Sequence, residues 1–404
     1  MARLLFLGAS VTQAPAFRYA RQAGHHVIAV DADPDAVAAR LADAFEAVDF
    51  QDVAEVASVG ALYDVQGVLA VGSDRAVHPA ACVAEALGLP GIGAYVAELM
   101  TDKALMRARL QEAGVRQPAH LVLEWPDTRA GRFPLPAVLK PADSGGQRGV
   151  FVIAEREDLD RHARETFSFS ATRRAILEQY VEGIELNGIV VVRDGEPSLV
   201  TLSDRLRPPG LGFGVGWIHS YPSSVPAPGL ESAREAALAA VRAMEVRNVI
   251  AFPQVIVDGA DEAWLVEVAA RIPAGQMADL VSNATGVNLY EIAIRQSLGF
   301  GVPDELVAPR FTRPVAIRFL TAEPGVLPVG RVDAIGGLSE VRASPGVLAA
   351  DLYFGMGHVI HPVQVDADRN GYVIATGDTP AHALSLADAA AEKLVVSVEV
   401  AQVS

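Results

Sequence analysis

Three observations predict an α/β protein with a parallel opening unit and a β-rich end. Short apolar runs alternate with helical patterns over the first 97 residues, hydrophobic strands recur through the middle, and the tail is punctuated by glycine and turn residues. In the opening unit Leu4 to Leu7, Val27 to Val30 and Gly67 to Val71 read as buried strands, with helices running through Arg21, Leu41 and Leu87. Thr101-Asp102-Lys103-Ala104-Leu105 starts a further helix with a lysine on its first turn. From Pro118 to about Val181 a smaller unit carries an apolar strand ending at Lys140 and a short acidic helix near Glu155 to Glu165. A larger unit follows to about Gly301, with strands at Gly188 to Val192 and Val249 to Val257. The tail beyond Pro309 is mostly β and ends on a helix from about Pro380.

Composition narrows the function classes. A chain of 404 residues, 51% hydrophobic, can bury several cores and suggests two to four units. Its net charge of −16 argues against wrapping nucleic acid or resting on an anionic membrane. The apolar run at the N-terminus is too short for a signal peptide, and no stretch reaches the roughly 20 residues that span a bilayer. The single Cys82 permits no internal disulfide, which suits a cytoplasmic protein, and zinc-type spacings are absent.

The segment Ala137-Val138-Leu139-Lys140-Pro141-Ala142-Asp143-Ser144-Gly145-Gly146-Gln147-Arg148-Gly149 delivers one cation to a strand end and follows it with glycines. Backbone N–H groups can then close around a polyphosphate without side-chain obstruction. It lacks the order of a Walker loop, and an ordinary hairpin with a glycine turn fits the same residues. Gly8-Ala9-Ser10 and Asp31 stand where a dinucleotide fold places phosphate and ribose contacts, but without its glycine fingerprint.

A second inference comes from Asp258-Gly259-Ala260-Asp261. If these four residues form a symmetric hairpin turn, Gln254 stands opposite Glu267, and alternation puts Gln254, Glu267, Ala269 and Arg271 on one face. Between the strands of the larger unit lies Leu202 to Ser223, with four glycines within seven residues, which suggests a loop that orders over substrate. Arg205 and Arg207 ahead of it can clamp a phosphate or carboxylate bidentately, or lie in solvent.

The helix at Lys103, the Lys140 loop, Glu178-Gln179-Tyr180-Val181-Glu182-Gly183-Ile184-Glu185 and Glu267-Val268-Ala269-Ala270-Arg271 occur in the order that resembles the ATP-grasp superfamily of carboxylate-amine ligases. The tail is similar to the C-terminal module of bacterial L-amino acid ligases. The resemblance implies an N-terminal α/β domain over 1–97, a linker helix and small mobile lid over 98–185, an α+β core with the metal and substrate site over 186–308, and a β-rich module over 309–404. It implies ATP and Mg²⁺ as cofactors and small-molecule carboxylate and amine substrates, with a homodimer as one possible assembly. Lys103 and Lys140 would hold phosphates together with Ser144, Gly145 and Gly146. Glu178, the Gln179 carbonyl and the Val181 N–H would meet adenine, and Glu185 the ribose. Glu267 would ligate Mg²⁺ with Gln254 as a neutral helper, Arg271 would stabilise the reacting acyl group, and His219 would stand at the substrate. Lys140 would also serve turnover, and Gly72-Ser73-Asp74 would contribute to the acceptor site. Two positions depart from the family: Gln254 stands where an acid is usual, and Ala269 where asparagine is usual. One Mg²⁺ is then expected, and a second is left open. Two rivals remain, a carboxylate-activating enzyme such as an ATP-grasp carboxylase and a catalytically silent nucleotide-binding protein.

Overall fold

The computed structural model describes residues 1–124, 127–207 and 215–399. Its opening unit is a four-stranded parallel sheet in the order Ala44–Glu46, His26–Val30, Arg3–Leu7, Gly67–Ala70. Helices Ala14–Gln22, Val53–Leu62 and Val77–Ala86 accompany it. One expectation for this unit needs correction, and one further helix was not foreseen. The helix through Leu41 is instead a set of turns with one short 3₁₀ segment, Ala39–Leu41. Asp31 and Asp33 accept the backbone N–H groups of Asp33 and Asp35, so local side-chain bonds compete with a helix around Pro34. Conversely, the helix Val53–Leu62 has a sequence of valine, alanine and glycine with little amphipathic contrast, and its start is fixed by Asp52, which accepts from the Glu55 N–H.

The small unit is a four-stranded antiparallel sheet, His120–Glu124, Arg174–Gln179, Ala137–Pro141, Phe151–Ile153. The helix Arg156–Ser168 packs on it through Leu159, Ala163 and Phe167. Its two central strands set Lys140 opposite Ile176 and Val138 opposite Glu178.

The large sheet has eight antiparallel strands in the order Ala263–Ala269, Val249–Val257, Ile184–Arg193, Glu196–Leu206, Ile218–Tyr221, Val315–Leu320, Gly371–Thr376, Val347–Leu352. It is buried on both faces. Along its third strand Ile189 and Val191 belong to one core, while Val190 and Val192 belong to the other, which also takes in the helix Ala227–Ala243. That is why the sequence there is continuously apolar rather than alternating. The last three strands come from the tail, so the tail is hydrogen-bonded into the core sheet through Ile218–Tyr221 and Val315–Leu320. A separate three-stranded sheet holds Val359–Ile360, Gly330–Gly336 and Val395–Glu399. The helix from Pro380, observed as Pro380–Ala391, therefore does not close the chain, because the alternating Val395-Val396-Ser397-Val398-Glu399 adds a strand after it. Among the described residues no helix is long and apolar enough to cross a membrane.

Candidate active site

A cleft of about 340 Å³ lies where the opening unit, the small sheet, the large sheet and the tail meet. Its cationic end is built by Lys140 and Lys103. Lys140 is buried at the end of its strand, 2.5 Å from Glu178, and Arg107 lies 2.7 Å from the other oxygen of that carboxylate. Arg107 also donates to the Leu265 and Val266 carbonyls, at 2.9 and 2.8 Å. Burial, helped by the charges of Arg107 and Lys103, lowers Lys140 to about 8 despite the pull of Glu178. Glu178 moves down: burial alone would raise it, but Lys140 and Arg107 outweigh that cost.

Lys103 opens the helix Lys103–Glu112, whose cap Asp102 accepts from the Ala104 and Leu105 N–H groups. Its backbone N–H donates to Ala142 O at 2.7 Å, and its ammonium donates to Ser144 O at 2.8 Å and lies 3.3 Å from Glu267. The glycine loop is thus held against a cation from a different unit. Gly146 adopts φ +70, which favours glycine. Ser144, Gly145, Gly146, Gln179, Tyr180 and Val181 all line the cleft. Gln179 ends its strand by donating its N–H to Ala119 O at 2.8 Å.

Glu185 lines the same cleft but is paired: Arg205 donates to both of its oxygens, at 3.1 and 3.0 Å, and Arg207 lies 3.9 Å away. Arg205 is buried, so the solvent-exposed alternative for it does not hold. Asp366, a tail residue, also lies 3.4 Å from it. The glycine-rich segment expected to order over substrate lies outside the described residues at 208–214.

Gln254 does stand opposite Glu267, but a four-residue symmetric turn is not the reason. The hairpin closes on Val257 and Ala263, and a bulge between Gln254 and Val255 then shifts the register by one. Without it Gln254 would face Val266. The bulge therefore places the carboxylate of Glu267 across from the amide of Gln254. That amide donates to Asn187 Oδ1 at 3.3 Å and to Glu185 at 3.4 Å. Among the described residues no group of three His, Cys, Asp or Glu forms a metal cage. One carboxylate beside a neutral amide fits a hard divalent ion that draws most of its shell from phosphate and water.

His219, on Ile218–Tyr221, is buried against the edge of Phe319, with Asn187 Nδ2 3.1 Å from its Nδ1. An amide nitrogen only donates, so Nδ1 accepts and the ring proton sits on Nε2. Burial, then the charges of Arg369 and Arg205, hold His219 well below its ordinary range, so the ring is neutral. Asn187 thereby joins Gln254 to His219, a link the sequence did not single out.

Arg271 leaves the hairpin just beyond Ala269 and is clamped by Asp74 of the opening unit, Nε and Nη2 each donating at 2.7 Å. Among the described residues its buried Nη1 has no hydrogen-bond partner. Two further cleft residues, Asp366 and Arg369, come from the tail, where Asp366 accepts the Gly216 N–H at 3.0 Å and Arg369 stacks 4.3 Å over Phe319. Neither lies in a readable motif, and only the fold reveals them.

Residues 102–304, half of the chain, match the carbamoyl-phosphate synthase L chain, ATP binding domain, and residues 318–399 match the L-amino acid ligase C-terminal domain 2. A D-alanine–D-alanine ligase from Desulforudis audaxviator is 28% identical over 252 residues, covering 58% of this chain and 75% of that protein. A carbamoyl phosphate synthase large chain from Xylella fastidiosa is 23% identical over 350 residues, 83% of this chain but only 32% of that protein, so the chain spans about a third of such relatives. Among solved structures, the L-amino acid ligase from Bacillus licheniformis superposes with a TM-score of 0.85 at 18% identity, covering 99% of both chains. Phosphoribosylglycinamide synthetase from Anaerococcus prevotii gives 0.79 at 18% identity, over 98% of this chain and 100% of that one. The fold, the matched ATP-binding domain and the L-amino acid ligase tail agree, and the chain belongs to the ATP-grasp family.

Proposed function

We propose that this protein is an ATP-dependent ligase that joins a carboxylate, an amino acid in the first instance, to an amine through an acyl phosphate, releasing ADP and phosphate. The observation that carries this reading is the convergence of Lys103, Lys140, Glu267 and Arg271 on one cleft from three separate parts of the chain. In this reading Lys140 and Lys103, with the backbone of Ser144 to Gly146, grip the phosphates of ATP. Gln179 to Val181 face the base, and Glu185, held by Arg205, faces the sugar. Glu267, helped by Gln254, would hold Mg²⁺, which when bound neutralises phosphate charge during transfer. A substrate carboxylate oxygen attacks the γ-phosphorus and the bond to ADP breaks. The amine then attacks the acyl carbon, phosphate leaves, and the amine's proton passes to solvent. Arg271 steadies the charge on the acyl oxygen, and neutral His219 offers Nε2–H as a donor rather than acting as a base. The tail residues Asp366 and Arg369 give the substrate end of the cleft its particular shape.

The assembly and compartment are part of the same proposal: a cytoplasmic protein, with a homodimer as its expected assembly. The functional test is a phosphate-release screen over pairs of amino acids and other carboxylates, with mass spectrometry of the products. An amide product with ADP supports the ligase. Phosphate release that depends on bicarbonate and not on an amino acid would assign the protein to carboxylation, and AMP with pyrophosphate would exclude the acyl-phosphate route.

A further inference from the structure

Among the described residues of the opening unit, Asp74 is the carboxylate that lines the cleft. It begins the short helix Asp74–Ala76, directly after the strand Gly67–Ala70. The strand end is itself tied to the hairpin: Val71 bridges Ile272 in parallel, and the Gly72 N–H donates to Ile272 O at 2.9 Å. This join fixes the distance between Asp74 and Arg271, and the carboxylate takes up Nε and Nη2 together at 2.7 Å. A side-on bidentate clamp removes the rotational freedom of a guanidinium plane. The Arg271 side chain is only 9% exposed, yet among the described residues Nη1 has no hydrogen-bond partner. A buried unpaired donor costs free energy unless a ligand completes it.

A third contact joins Asp74 to the lid. A methyl group built on Gly145 would lie 2.8 Å from Asp74 Oδ2, so only a glycine lets the loop backbone rest on this carboxylate. Asp74 is also close enough to Lys103 to feel its charge. Burial would raise the Asp74 carboxyl, but Arg271 and then Lys103 keep it below its usual range and ionised.

We propose that Asp74 is the positioning residue of Arg271: it locks the guanidinium from a second domain, so that the group keeps one orientation toward the substrate's acyl group, and does so beneath the glycine loop. This rests on the ligase reading of the cleft. Such a role separates kcat from ATP binding. Neutralising Asp74 loosens Arg271 but also removes a negative charge beside the phosphate-gripping lysines, so ATP affinity should hold or improve as turnover falls.

The test is a double-mutant cycle on the full chain, with Asp74→Asn, Arg271→Lys and the pair, read as carboxylate-dependent phosphate release and as ATP affinity by calorimetry. Asp74→Asn should lower kcat about 100-fold, the scale of a misplaced catalytic group, with ATP affinity unchanged or tighter. In the Arg271→Lys background the same change should cost less than about threefold, because residues acting as one unit are not additive. Equal losses in both backgrounds, or ATP binding weakened in step with kcat, would overturn the proposal and make Asp74 an independent or merely structural residue. If Asp74→Asn does not fold, Asp74→Glu serves instead: it keeps the charge but displaces it, and should depress kcat alone, whereas wild-type kcat would overturn the role. A wild type that releases phosphate with a carboxylate but forms no amide removes the ligase reading while leaving the cycle readable. A wild type that releases none removes both.

Discussion

The two ends of the cleft treat charge in opposite ways. At the Lys140 end the protein balances its own charges: Lys140 and Arg107 share Glu178, all three are buried, and Arg107 also donates to Gln117 and to the Leu265 and Val266 carbonyls. At the hairpin end the balance is incomplete. Among the described residues Arg271 keeps an unpartnered nitrogen, and Glu267, though 3.3 Å from Lys103, faces a neutral amide across the strand pair rather than a second acid. A self-balanced cluster contributes to holding the fold together before any ligand arrives, whereas an unbalanced one is completed by what binds. The difference predicts that substitutions at the first end are felt in both stability and activity, and that substitutions at the second are felt in activity first.

The largest effect should come from Glu267→Gln. Removing the sole carboxylate of the hairpin face leaves a hard cation only dipoles, and phosphate release should fall at least about 100-fold at ordinary Mg²⁺, while stability should fall less than in Glu178→Gln because only Lys103 loses a partner. Retention of most of the wild-type rate would show that the metal lies elsewhere. Glu178→Gln tests the other end. It strands two buried cations, which should destabilise the fold by about 3–5 kcal/mol. Denaturant unfolding reads this directly, and a loss under 1 kcal/mol would mean that the cluster is not self-balanced in the sense argued here.

A pH profile sharpens the contrast. Lys140 is lowered to about 8, and phosphate binds its charged form. Below 8 the cation is present; as pH rises through 8 the free protein loses it, so kcat/KM for ATP should fall by roughly tenfold per pH unit above that point. ATP binding should take up a proton near pH 8, which calorimetry in buffers of different ionisation enthalpy detects. His219, held well below its ordinary range by burial, should add no limb to this profile near neutral pH. A profile flat from pH 7 to 9.5 would remove Lys140 from the phosphate site.

Much of this was legible in the sequence because it depends on local chemistry. The apolar strands, the Lys103 helix with its aspartate cap, and the order of the charged motifs follow from periodicity and short-range signals. What was not legible depends on register and distant contact. Asn187 sits inside an apolar run, and only the pairing of its strand with Val249–Val257 reveals it beside Gln254. Asp366 and Arg369 lie in turns of the tail, and their approach to the cleft requires the tail strands to extend the core sheet. The opposition of Gln254 and Glu267 was reached from an assumed turn, while the physical cause is a bulge that no residue pattern announces.

Gln254 carries the smallest and most discriminating prediction. Its amide already bonds Asn187 and Glu185, so Gln254→Ala removes a neutral helper and loosens two neighbours without stranding a charge. Turnover should drop about three- to tenfold, far less than for Glu267→Gln, because an ion's attraction to an amide dipole is weaker than to a full charge. Gln254→Glu should do the reverse. A second carboxylate opposite Glu267 adds charge for a divalent ion, so half-maximal rate should come at a lower Mg²⁺ concentration. In the absence of metal that variant places two carboxylates across the strand pair, where like charges repel, and it should unfold at a lower temperature than the wild type until Mg²⁺ and ATP are added. If the Mg²⁺ requirement is unchanged in Gln254→Glu, position 254 does not face the ion, and the imbalance at the hairpin end belongs to Arg271 alone.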